Sequence, residues 1–70
     1  MRYAIVIEQA ENNLSAYVPD LPGCITTGAT LEEVQEHIKE AISFHLEGMR
    51  EDGLAIPVPS SRVSYITVAE

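Results

Sequence analysis

One thiol, two imidazoles and a run of carboxylates are the side chains of this chain that could do chemistry, and their spacing decides whether they do. Cys24 would need a base beside it to become a nucleophile, and no local Cys-His pattern supplies one. A lone cysteine at the start of a strand reads as a small buried hydrophobe instead. His37 and His45 lie eight residues apart, about 12 Å along a helix and ~80° round it, too divergent to share a metal. His45 falls on the core side. His37 with Glu33, four residues before it, offers two ligands on an exposed helix, short of a metal site. Glu32, Glu33, Glu36, Glu40, Glu47 and Glu51 resemble paired acids only in one dimension. Their helical positions aim them at water, so they read as a solvated face rather than a catalytic dyad. Ser60 and Ser61 lack a nearby base, and Gly23 and Gly28 are isolated turn glycines, not a phosphate loop. The expectation is no catalytic group, no cofactor and no metal.

What remains is surface, and charge says what it could meet. Eleven acidic residues stand against Arg2, Lys39, Arg50 and Arg62, for a net charge of −7. Nucleic-acid binding relies on clustered cations, so direct binding of DNA or RNA is not expected. An acidic chain suits a basic partner, although acidity also serves plain solubility. Seventy residues make one domain, 1–70, that buries only about 60% of its unfolded surface, and self-association is a common remedy. One cysteine permits no intrachain disulfide and fits the cytoplasm. The apolar run after Met1 is too short for a signal peptide or a membrane span, so a soluble cytoplasmic protein is expected.

Elements must position that surface, and the pattern is legible along the chain. Residues 2–9 read as a strand with Tyr3, Ile5 and Ile7 on one side and Ala4 and Val6 on the other. Asn12-Asn13 marks a hairpin turn before a second strand at 14–18. Pro19 and Pro22 remove two backbone donors and force a turn closed by Gly23. A short strand follows at 24–27. Thr30 is placed to cap a helix from Leu31 to about Asp52, with Glu33 at capping-box spacing and Gly53 as its left-handed stop. Leu31, Val34, Ile38, Ala41, Ile42, His45, Leu46 and Met49 form one stripe roughly 140° wide that should face the core. Phe44 lies outside it, near Ala41 and Gly48. Residues 62–68 alternate as a last strand.

A single helix covers one face of such a sheet, yet the first and last strands are apolar on both faces. The second face should meet a partner or a second copy, or else lie beneath residues 54–61. Three surfaces are therefore candidates for contact: the Pro19–Gly23 loop with Asp20 and Leu21, the second sheet face with Tyr17, and Phe44 beside Gly48.

Asp20-Leu21-Pro22-Gly23-Cys24, a Thr/Gly segment and then Thr30-Leu31-Glu32-Glu33 resemble the pattern of the HicB-like antitoxin family. Glu40-Ala41-Ile42, Glu47, Glu51-Asp52-Gly53 and Ile56-Pro57-Val58-Pro59-Ser60 are similar to that family's helix and its exit. The likeness covers roughly residues 1–60. It implies an α+β fold, β-β-β-α-β, described for the family as a partly degraded ribonuclease-H-like fold. The first three strands would form an antiparallel meander, and the helix would cross over, right-handed, to a final strand parallel to the first. It further implies a basic HicA-like toxin as partner, an mRNA-cleaving protein whose active site the antitoxin binds and masks.

Two departures shape that expectation. Family members usually carry a C-terminal DNA-binding domain, whereas residues 62–68 reach almost to Glu70, so promoter binding is not expected of this polypeptide. Ribonuclease-H chemistry needs a carboxylate central on the first strand, where this chain has Ala4-Ile5-Val6-Ile7 and only Glu8 at the end, so no nuclease activity is expected. The rival reading is an orphan homo-oligomeric domain with another protein or a small ligand as partner. Under either reading a homodimer or higher homo-oligomer is expected.

Overall fold

The computed structural model describes residues 1–69. Three short strands, β1 (Val6–Gln9), β2 (Leu14–Tyr17) and β3 (Ile25–Gly28), precede one helix, α1 (Leu31–Glu51). The sheet order is β1-β2-β3 with both pairings antiparallel, which is the expected meander of an α+β fold.

Register sorts the side chains into two faces, because directly paired residues point the same way. Ala16 pairs with Ile7 and with Thr26, and that face meets α1. Tyr17 pairs with Val6 and with Ile25, forming an apolar row on the opposite face. The core holds Ala16, Val18, Leu21 and Cys24 from the sheet and its loop, with Val34, Ile38 and Leu46 from the helix. Leu21 and Val34 are wholly buried. Removing each from water stabilises the fold by about 1.5–3 kcal/mol. Ala41, Ile42 and Met49 pack at the margin of this core. Leu31, expected in the stripe, is 53% exposed.

Both helix ends are built as the sequence suggests. The Glu33 N–H donates to Thr30 Oγ1 at 3.1 Å. Glu33 Oε1 in turn accepts from the Ala29 N–H at 3.1 Å, one residue earlier than the usual capping box. At the other end Gly53 adopts φ +69. Its N–H bonds the Arg50 carbonyl at 3.1 Å while the Leu54 N–H reaches Met49 at 2.9 Å, closing a Schellman motif.

Two expectations about the sheet are corrected. The first strand is paired only from Val6, not from residue 2. The fourth strand expected at 62–68 does not form: among the described residues the sheet has three strands, and 54–69 belong to no strand or helix. After Gly53 the chain turns back to the core side, where Ile56 joins the hydrophobic cluster and the Tyr3 hydroxyl donates to the Pro57 carbonyl at 2.6 Å. Residues 54–57 therefore do not cover the second sheet face. Residues 63–69 lie largely in the open, with Tyr65 93% and Ile66 81% exposed.

Candidate partner interface

The loop between β2 and β3 is two turns joined end to end. Leu21 N–H bonds the Val18 carbonyl at 3.0 Å, closing a turn with Pro19 in its second position. Cys24 N–H bonds the Leu21 carbonyl at 3.0 Å, closing the next with Pro22 second and Gly23 third. Gly23 has φ +85, as the third position of a type II turn requires. The two turns share Leu21, whose side chain swings into the core at 0% exposure. Leu21 is thus corrected from a candidate contact residue to a core anchor. A loop position reads as exposed in sequence, but a double turn that pivots on one residue can drive that residue inward.

Asp20, its neighbour, points the other way and is occupied within the chain. Its carboxylate accepts the Ser60 and Ser61 N–H groups at 2.9 and 3.0 Å and both serine hydroxyls at 3.2 and 2.8 Å. Those donors, the Ser61 and Ser60 backbone first, hold its pKa down to about 2 from an ordinary 3.8. Asp20 therefore ties the double turn to the chain leaving the core. Neither serine was singled out for this role by the sequence, since no spacing rule joins residues 40 apart.

Cys24 is 4% exposed, and burial raises its thiol pKa. A protonated, enclosed thiol is a poor nucleophile. The His37 Nδ1 donates to the Thr27 carbonyl at 2.7 Å, fastening α1 to β3 rather than facing Glu33. No group of three or more His, Cys, Asp or Glu among the described residues is gathered closely enough to hold a metal ion.

Two exposed patches remain, and the structure does not bring them together. On the sheet face away from α1, Tyr17 is 38% and Ile25 63% exposed. Ile25 carries no contact signal in the sequence, yet its pairing with Tyr17 puts both in one patch. On the outer side of α1, Phe44 is 81% exposed. Glu40, Glu47 and Glu51, at positions i−4, i+3 and i+7 from it, are exposed on the same helix face. Apart from its own stretch of helix, nothing among the described residues lies within 4 Å of a Cβ built on Gly48, so its missing side chain leaves open room beside Phe44. An aromatic ring framed by carboxylates is suited to a partner with an apolar pocket rimmed by cations.

Known proteins share this sequence and shape. The chain is 44% identical over its full length to an uncharacterized 14.9 kDa protein from the rep-hol intergenic region of Haemophilus phage HP1, and spans 53% of that protein. It is 46% identical over 61 residues to a UPF0150 protein of Archaeoglobus fulgidus, covering 83% of this chain and 88% of that one. Its fold matches a chain of the HicA3 and HicB3 toxin-antitoxin complex with a TM-score of 0.75 and 28% identity, over 86% of this chain and 70% of that chain. The family model for the HicB-like antitoxin of bacterial toxin-antitoxin systems matches residues 3–70. With the double turn, the capped helix and the meander all inside that span, the chain belongs to the HicB-like antitoxin family.

Proposed function

We propose that this protein is an antitoxin: residues 1–70 act as one domain that binds a small basic HicA-like toxin and masks its mRNA-cleaving site. It works in the cytoplasm by stoichiometric binding and catalyses no reaction. The observation that carries this reading is Phe44, 81% exposed on a helix face it shares with Glu40, Glu47 and Glu51. An exposed ring offers a partner an aromatic anchor, and the surrounding carboxylates favour a cationic one. The net charge of −7 adds long-range attraction that speeds the encounter. Membership of the HicB-like family and the resemblance to a chain of a toxin–antitoxin complex support the same partner class.

Co-expression with a small basic HicA-like toxin, sought first in the neighbouring gene, tests the proposal. A co-purifying complex and restored growth of cells carrying that toxin are expected. Absence of both the complex and the rescue overturns the reading.

A further inference from the structure

The C-terminal arm and the β1 edge are each incomplete in the single chain. Residues 63–68 alternate Val63, Tyr65 and Thr67 against Ser64, Ile66 and Val68, so both faces of the arm carry large apolar groups. The structure leaves Val63, Tyr65, Ile66 and Val68 between 54% and 93% exposed. Both-sided apolar character is the mark of a strand buried on two faces, not of a solvent-washed tail.

The sheet has two edges. On β3, the Thr27 carbonyl is taken by His37, and the close approach of Gly28 to the Val34 backbone brings the helix against that strand. Among the described residues the β1 edge carries no neighbouring strand, and α1 lies over β3 and β2 but not over β1. An open groove of about 510 Å³ therefore runs between α1 and the start of the chain, lined by Tyr3, Ile5, Ile38, Ile42 and Leu46. On the opposite side of the same edge lies the Val6–Tyr17–Ile25 row. A strand laid along β1 would close the groove with one face and extend the apolar Val6–Tyr17–Ile25 row with the other, and the arm has the matching pattern.

We propose that the arm of one chain, residues 62–68, adds as a strand to the β1 edge of a second copy, and that the second copy returns its own arm. The arm's root lies beside Arg2, Tyr3 and Ala4 of its own chain and is held by Asp20, so it leaves from the edge where exchange must occur. Seven residues extend about 23 Å at ~3.3 Å each, enough to span β1. Two arms bring eight large apolar side chains. With about 150–250 Å² for each tyrosine and the area they cover on the partner, the buried surface reaches the ~1,200–2,000 Å² of a stable interface. Exchange of an identical element between two copies also satisfies the open strand edge, which otherwise invites unspecific pairing. This deepens the expectation of self-association, and it stands apart from toxin binding.

The purified full chain, without toxin, is measured by light scattering over a concentration series, with hydrogen exchange read at residues 63–68. A dimer whose arm amides are protected is expected. Ile66→Glu and a chain ending at Arg62 should each weaken the dimer at least ~30-fold while the far-UV circular dichroism stays helical. The proposal is overturned by a monomer at about 100 µM, by a dimer as tight without the arm, or by arm amides that exchange freely in the dimer. Protected arm amides in a monomer would overturn it too, because they would mean the arm closes on its own chain.

Discussion

Asp20 and Ser61, 41 residues apart in the chain, are joined twice: the Ser61 N–H and hydroxyl reach the Asp20 carboxylate at 3.0 and 2.8 Å. With the matching pair from Ser60, this one carboxylate fixes where the chain leaves the core, and so where the C-terminal arm begins.

The anchor should depend on pH in a defined window. The folded pKa, about 2, lies below the ordinary 3.8. A depressed carboxylate stabilises the fold fully above its unfolded pKa and loses that contribution as pH falls through the folded one. The amide resonances of Ser60 and Ser61 should therefore hold steady down to about pH 4 and titrate with a midpoint near 2. Asp20→Ala should remove the titration and speed exchange of both serine amides at neutral pH, while the helix signal remains. A midpoint at the ordinary carboxylate value would show that the four hydrogen bonds do not hold in solution.

At Gly28 the backbone of β3 comes close to that of α1. A Cβ added there would stand 2.6 Å from the Val34 backbone nitrogen and 2.8 Å from its Cα. Backbone atoms cannot rotate aside, so Gly28→Ala must push the strand off the helix, at a cost of about 1–3 kcal/mol. For a domain this small that lowers Tm by roughly 5–20 °C. Apart from its own stretch of helix, nothing among the described residues lies within 4 Å of a Cβ at Gly48, and the same substitution there should not lower Tm. Thermal melts of the two variants separate a packing glycine from one that only leaves room, and equal losses would contradict this placement of α1 on β3.

Local chemistry was readable in advance, and contacts between distant segments were not. Thr30 with Glu33, Pro22 with Gly23, and Gly53 are short-range devices whose meaning is complete within a few residues, and each does in the structure what its type suggests. Gly28 reads in sequence as a turn glycine because its real constraint, the Val34 backbone, exists only once α1 has docked. Asp20 looked like a partner contact for the same reason: its donors arrive from residues 60 and 61. Leu21 misled differently, since its inward direction is set by the hydrogen bonds of two linked turns, not by periodicity. The alternation at 62–68 was visible, but a period of two cannot say which edge a strand joins, or on which chain.

If the chain binds a toxin as proposed, the contact surface can be assigned by contrasting two aromatics that lie on opposite layers. Phe44 stands on α1 at 81% exposure and Tyr17 on the open sheet face at 38%. Neither belongs to the core cluster, so Phe44→Ala and Tyr17→Ala should both fold. If the acidic face of α1 carries the contact, Phe44→Ala removes its aromatic anchor and should weaken toxin binding by about 2 kcal/mol or more, a loss of roughly 30-fold. Glu47→Lys, one turn away, should act differently. It reverses a charge at the rim, so it should slow association and flatten the dependence on salt, with a smaller effect on dissociation. Tyr17→Ala should leave toxin affinity within about threefold. Binding kinetics of the three variants at two salt concentrations decide the matter. Loss on Tyr17→Ala with none on Phe44→Ala would move the toxin to the open face of the sheet.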